Sequence, residues 1–166
     1  MTTDSPPLEF PPTCRPETVQ LYNYWRSKCG NRKMPRRADI DPSEIPPRLL
    51  PCLSLVDVVD DDRRYVYRLV GTADVQVRGS DPTGKSVREG FFGPDADDAV
   101  SCYDKVCETR APLLDPTPFT ATNGRYATEE TIFLPLSDDG ETVNKIIVFF
   151  AFKDVLDPNA PVQLDL

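Results

Sequence analysis

The residues from Ile146 to Phe152 are apolar without a break, and period-2 alternation puts Ile146, Val148, Phe150 and Phe152 on one face of a strand and Ile147, Phe149 and Ala151 on the other. A strand apolar on both faces must be covered on both, so it belongs at the centre of a layered fold. Short helices from the middle of the chain can cover one face. The other needs a second amphipathic element, and residues 17–30 supply it: Leu21, Tyr22, Trp25 and Cys29 recur at helical spacing before a stop at Gly30. That helix can come from this chain or from a partner. Trp25 reads as its packing anchor.

The remaining strands follow from alternation and turn residues. Leu49 to Val59 and Tyr65 to Val70 form a pair joined by the acidic turn Asp60-Asp61-Asp62. Asp57 and these three carboxylates lack the fixed glycine and distal glutamate of a calcium loop, so they read as a charged hairpin tip. Leu113 to Thr122 leads into Asn123-Gly124, a strong hairpin signal, followed by Tyr126 to Leu136, a turn at Asp138-Asp139-Gly140 and the last strand, Val143 to Lys153. Between the two groups, Pro94-Asp95 opens a helix running to about Arg110, with Ala96, Ala99, Val100, Tyr103, Val106 and Cys107 as its buried stripe. Further upstream, Asp41-Pro42-Ser43-Glu44 has the form of a capping box, flanked by Ile40 and Ile45 as a hydrophobic staple. Pro46 and Pro47 limit it to one turn.

The stretch from Arg64 to Ser86 is the corner of the molecule. The strand stops at Gly71, Thr72 caps a short helix whose buried side includes Val75, and Gly79 closes it. Gly79 to Ser86 then spells GSDPTGKS, which satisfies the phosphate-loop pattern letter for letter. That pattern binds nucleotide only when its first glycine ends a buried strand and its Lys-Ser opens a long helix. Here the preceding segment is helical, the following VREGFFGP is too short, and Pro82 removes a backbone donor. An Asp-Pro-Thr-Gly turn with Gly84 at positive φ explains the same letters. Nucleotide binding through Lys85 and Ser86 stays as the alternative reading.

Composition narrows the function. The chain has 166 residues, enough for one domain, which we place at 17–153 between an N-terminal arm at 1–16, mostly disordered, and an acidic tail at 154–166. No apolar run is long enough for a bilayer and no signal peptide opens the chain, so a cytoplasmic protein away from membrane is expected. A formal charge of −8 repels nucleic acid, and Asp39, Asp41 and Glu44 offset the basic cluster Arg32, Lys33, Arg36 and Arg37. The 5 cysteines have no zinc or disulfide spacing and read as reduced thiols. With 0 histidines, the chain alone cannot form a His-dependent triad, a histidine-ligated haem or a phosphohistidine relay.

Two strands, a bank of short helices ending in a longer one, and three meandering strands are the order of a PAS domain. The strings Tyr24-Trp25, MPRRADIDPSEIP at 34–46, LLP at 49–51, YRLVGT at 67–72 and GSDPTGKS resemble a bacterial family of small, often stand-alone PAS-like proteins over residues 18–153. The resemblance implies an α+β fold: a five-stranded antiparallel sheet cupping a small cavity, helices on one face and an N-terminal amphipathic helix. It also implies a sensory or scaffolding role and no nucleotide at 79–86.

Within such a cup, Tyr67, Leu69, Val75 and Phe92 are expected to line the cavity together with Tyr103, Ile147 and Phe149, unless these simply form the core. The expected interface is Leu21, Tyr22 and Trp25 packed on Val148 and Phe150. No cysteine stands in an asparagine-rich flavin-adduct motif, so neither a covalent flavin adduct nor histidine-held haem is expected. The reading is a non-enzymatic regulatory domain acting in signalling, with a homodimer, signalling proteins and a small apolar or amphipathic ligand as partners. A hydrolase or isomerase using a carboxylate and Tyr103 has no positive signal, because Asp and Glu fall mainly in turns and caps.

Overall fold

Strand β6 (Lys145–Phe152) lies between β1 (Leu53–Val58) and β5 (Ala127–Leu136), every pairing is antiparallel, and all its residues from Ile146 on are buried. β2 (Tyr65–Val70) extends the sheet beyond β1, and β3 (Leu113–Asp115) and β4 (Phe119–Thr120) both pair with β5, giving the order β2-β1-β6-β5-β3 with β4 beside β3. This computed structural model describes residues 7–120 and 127–152; the Asn123-Gly124 hairpin and the tail at 154–166 lie outside the described residues.

The last strand begins at Lys145 rather than Val143, and the first and third depart most from their expected extent, for which proline accounts. The first begins at Leu53 rather than Leu49, because Leu50–Cys52 forms a 3-10 turn around Pro51, which cannot donate to a ladder. The third, expected unbroken from Leu113, is split into β3 and β4 across Pro116 and Pro118, with Asp115 accepting the Thr117 N–H in the gap.

Cross-strand register sorts the side chains. The pairs Val56↔Ile146, Val56↔Tyr67 and Phe133↔Val148 define an inner face, and Leu53↔Phe149, Leu55↔Ile147 and Ile132↔Phe149 an outer one. The β1–β2 register slips between Leu55 and Val56, so Leu69 opposes Leu55 on the outer face although Tyr67, two residues earlier, is inner. Strict alternation would have put Leu69 and Tyr67 together; the bulge inverts the parity.

Helix α2 (Thr72–Arg78), the single turn α3 (Val87–Gly90) and α4 (Ala96–Thr109) stand over the inner face. Tyr103 of α4 stacks on Tyr65 and meets Phe133 edge-on, each at 5.1 Å between centroids. Asp95 caps α4 by accepting the Asp98 N–H, and Arg110 ends it in the left-handed region. In α2 the N-cap is Gly71, with Thr72 the first helical residue and no side-chain cap. Its buried residues are Ala73, Asp74 and Val77; Val75 is half-buried, since it lies about 200° round from Ala73 and Val77.

Gly71 is dictated by contact. A Cβ there would stand 2.3 Å from the Pro51 carbonyl oxygen, and its N–H donates to the Leu53 carbonyl at 2.7 Å. The corner therefore locks the end of β2 against the turn that starts β1.

Helix α1 (Pro16–Cys29) covers the outer face over β5 and β6, from this chain itself. The Trp25 indole N–H donates to the Pro135 carbonyl at 2.8 Å. Leu136 turns its carbonyl to Asn144, so Pro135, one residue earlier and beyond the last β3 pair at Phe133, turns its own to the open edge. Upstream, residues 7–15 lie along the same helix: Phe10 packs edge-on against Tyr22, and the Leu8 N–H donates to the Tyr22 hydroxyl.

Candidate functional site

The seven residues expected to share a cavity fall in three places. Tyr67, Phe92 and Tyr103 are inside the cup. Leu69 and Ile147 line a cleft on the outer face, and Phe149 is buried on that face between Leu53 and Ile132. Val75 is only half-buried, at the margin of the core. The expected interface divides as well: Leu21, Tyr22 and Trp25 are buried on the outer side, while Phe150 packs on Phe92 at 5.2 Å inside the cup and Val148 pairs with Phe133 there. A single strand presents alternate residues to opposite faces, so Val148 and Phe150, on the inner face, cannot meet α1 on the outer one.

Inside the cup the sequence reading missed a polar network. Asp74 and Arg78 sit one turn apart on α2, with Nε 2.7 Å from Oδ1 and side chains 0% and 3% exposed. The Ser54 hydroxyl donates to the other Asp74 oxygen at 2.5 Å. Arg78 Nη1 donates to the Gly90 carbonyl and the Tyr67 hydroxyl, and the guanidinium lies against the rings of Tyr67 and Phe92, 4.6 and 4.4 Å from their centroids. Nη2 is buried without a hydrogen-bond partner among the described residues. Burial pulls the Arg78 pKa down, and the adjoining Asp74 carboxylate outweighs it, holding arginine charged. Burial raises the Tyr67 and Tyr103 phenols, so both are neutral at physiological pH. An Asp followed four residues later by Arg was visible in the sequence as a helical pair. Its burial was not.

The outer cleft, of about 430 Å³, is lined by Leu53, Leu55, Leu69 and Ile147 from the sheet and by Ile45 and Leu50 from the preceding segment. Leu69 is 60% exposed at its rim. The segment 37–51 is tied to α1. The Tyr24 hydroxyl accepts the Asp41 N–H at 2.9 Å, and Glu44 bonds Lys28 instead of turning back to Asp41. The capping box is therefore half-formed: Asp41 accepts the Ser43 N–H, and tyrosine takes the place of glutamate. Ile40 and Ile45 are both buried.

The phosphate-loop lookalike uses its amides internally. The Thr83 N–H goes to Asp81, Gly84 N–H to the Tyr67 carbonyl and Lys85 N–H to the Pro82 carbonyl, while Gly84 has φ +89°. Gly79 ends a helix rather than a strand, and the helix after Ser86 has 4 residues. Among the described residues no group of His, Cys, Asp and Glu could hold a metal ion, and no helix is long and apolar enough to cross a membrane.

An antiparallel sheet in the order β2-β1-β6-β5-β3, with short helices over one face and an N-terminal helix on the other, is the architecture of a PAS-type cup. The chain belongs to the PAS domain family, whose profile matches residues 14–150. A search of curated proteins found no match. Among solved structures it is similar to the blue-light activated histidine kinase EL346 of Erythrobacter litoralis, at 18% identity and TM-score 0.47, covering 61% of this chain and 32% of that one. It is also similar to the LOV protein of Rhodobacter sphaeroides, at 12% identity and TM-score 0.47, covering 61% and 59%. A fungal LOV domain photoreceptor follows at 19% identity and TM-score 0.46, covering 68% and 79%. The chain thus spans about a third of the kinase.

A multi-ring chromophore does not fit the inner face as folded. The rings of Tyr67, Phe92 and Tyr103 occupy it, and the cleft beside them, bounded by Phe91, Cys102, Phe119 and Phe150, holds about 170 Å³. Cys102 borders that cleft with its thiol pushed up to about 11, by burial first and then by Asp115, and is protonated at neutral pH.

Proposed function

We propose that this PAS domain is a non-enzymatic regulator in signalling that acts through the outer face of its sheet, docking there on a second copy of itself. The observation that carries the reading is the apolar outer cleft with Leu69 60% exposed at its rim. Burying that leucine is worth about 2 kcal/mol. A two-fold axis uses every contact twice, and here one surface carries both the knob and the hole. The occupant is therefore a second copy.

Helix α1 supplies the route by which a signal reaches that surface. Tyr24 and Lys28 of α1 hold the 41–44 turn, which belongs to the segment walling the cleft, so a shift of α1 moves the docking surface. Catalysis has little support. The chain has no histidine, and the buried carboxylates among the described residues are engaged, Asp74 by Arg78 and Ser54, Glu17 by Arg15 and Arg48, and Glu130 by Cys14 and the Arg15 N–H.

Sedimentation velocity at tens of micromolar decides it. The wild-type chain is expected as a dimer, and Leu69→Asp as a folded monomer with an unchanged circular dichroism spectrum, because an exposed rim leucine contributes little to the fold of one chain. A monomeric wild type, or a Leu69→Asp variant that still dimerises, overturns the reading.

A further inference from the structure

From the basic cleft where the end of α1 meets the end of α4 we infer that the protein has a binding site outside the cup, for a small organic acid carrying one carboxylate on an apolar body. The inference rests on the regulatory reading only for its purpose: a ligand gripping α1 would act on the outer docking surface that α1 holds. Its binding chemistry stands on its own.

The cleft holds about 420 Å³ and is lined by Leu8 and Glu9 of the N-terminal arm, by Tyr22, Trp25 and Arg26 of α1, by Lys33 just beyond it, and by the turn at 109–112. Arg26 and Lys33 are half-buried, and neither forms an ion pair with a carboxylate among the described residues. Arg26 donates through Nη1 to the Tyr22 hydroxyl at 3.2 Å, and Lys33 to the Thr109 carbonyl at 3.1 Å, so both keep unused donors. Arg32, also at the cleft, is matched by Asp39. The Tyr22 oxygen accepts from the Leu8 N–H as well, and the hydroxyl proton has no acceptor among the described residues. Donors therefore collect here without a matching acceptor.

The charge count selects the ligand's head. Arg26 and Lys33 face one carboxylate of the cleft, Glu9, which is exposed and pairs with neither, leaving an excess of one positive charge. A single carboxylate balances it. The carbonyl ends of α1 and α4 favour the two cations without cancelling a full charge, and they make a dianion less suited than a monoanion. Burial pushes the Cys29 thiol up to about 11 while Arg26 and Arg32 pull it down, so the positive field reaches this residue of the cleft wall. The volume and the remaining walls select the body. Leu8, Trp25, Ala111 and Pro112 are apolar, and a space of this size takes a small molecule rather than a bare ion.

Trp25, the chain's only tryptophan, lines the cleft, so its emission reports binding. The test titrates phenylacetate, 2-phenylethanol, acetate and phenyl phosphate into the wild-type chain and into Leu69→Asp. Phenylacetate is expected to change the Trp25 emission and to bind about tenfold tighter than the other three, equally in both proteins, because it alone combines one charge with an apolar body. Arg26→Gln and Lys33→Gln are each expected to bind it about tenfold more weakly and to lose the preference over 2-phenylethanol; if one of them fails to fold, the other decides. Lys85→Gln, which removes the same charge from the exposed 79–86 loop, is expected to bind as wild type does. No binding of phenylacetate at millimolar concentration, phenyl phosphate binding tightest, 2-phenylethanol or acetate binding as well as phenylacetate, or Lys85→Gln weakening binding as much as Arg26→Gln each overturn the proposal. A monomeric wild type that binds phenylacetate sinks only the docking reading, and a dimer that does not bind it sinks only this one.

Discussion

Nε of Arg78 lies 2.7 Å from Oδ1 of Asp74, one turn earlier on the same seven-residue helix, and both side chains are out of water. Such a pair is costly to break and cheap to replace. Arg78→Met strands a buried carboxylate and is expected to destabilise the domain by about 3–5 kcal/mol. Asp74→Leu with Arg78→Met removes both charges and is expected to cost less than Arg78→Met alone. Urea unfolding of the wild type, Arg78→Met and the double variant checks it; a double variant as unstable as Arg78→Met would overturn the expectation.

Gly71→Ala tests the corner. Its Cβ would meet backbone, the Pro51 carbonyl at 2.3 Å, which cannot swing aside, and a loss of about 2–3 kcal/mol is expected. Gly84→Ala faces open space and pays only for φ +89°, about 1 kcal/mol. Thermal melts should rank Gly71→Ala clearly below Gly84→Ala; equal melting temperatures would mean that the β2–α2 corner yields.

Trp25 anchors α1 and is the chain's only tryptophan, so its fluorescence reports the unfolding of the outer layer. Trp25→Phe leaves the Pro135 carbonyl without its donor and is expected to cost about 1–3 kcal/mol. Trp25→Ala adds a cavity and should reach about 3–5 kcal/mol. Urea midpoints followed by circular dichroism distinguish the two, and a Trp25→Phe midpoint matching wild type would remove the hydrogen bond from the account.

Cys52 makes stability pH-dependent on the alkaline side. Burial, with the Asp74 charge as the next cause, pushes its thiol from 9.0 up to about 12. The unfolded chain therefore releases this proton from about pH 9, while the folded chain holds it until about 12. The contribution is complete below pH 9 and is lost as pH rises across that window. A thiol-titrating reagent at pH 8 is expected to leave Cys52 unmodified until denaturant is added, and Cys52→Ala should flatten the stability profile between pH 9 and 12. Rapid modification of Cys52 in the folded protein would contradict its burial.

Local chemistry alone specified a good deal of this protein. The run from Ile146 to Phe152 demanded two covering layers, the spacing of Leu21, Tyr22 and Trp25 supplied one of them, and the missing strand and long helix around GSDPTGKS argued against a phosphate site. All of these depend on neighbours within a few residues, where periodicity and turn chemistry act. Which residues share a face was settled only by the folded sheet. The slip between Leu55 and Val56 moves Leu69 to the outer side, and a bulge depends on the partner strand as much as on the strand that carries it. Likewise Asp74 and Arg78 were legible as an i,i+4 pair, yet their removal from water, and the unmatched nitrogen that follows from it, arise because β2, α3 and the Phe91-Phe92 loop close around them. Burial is a property of the packed layers, and no window of sequence contains it.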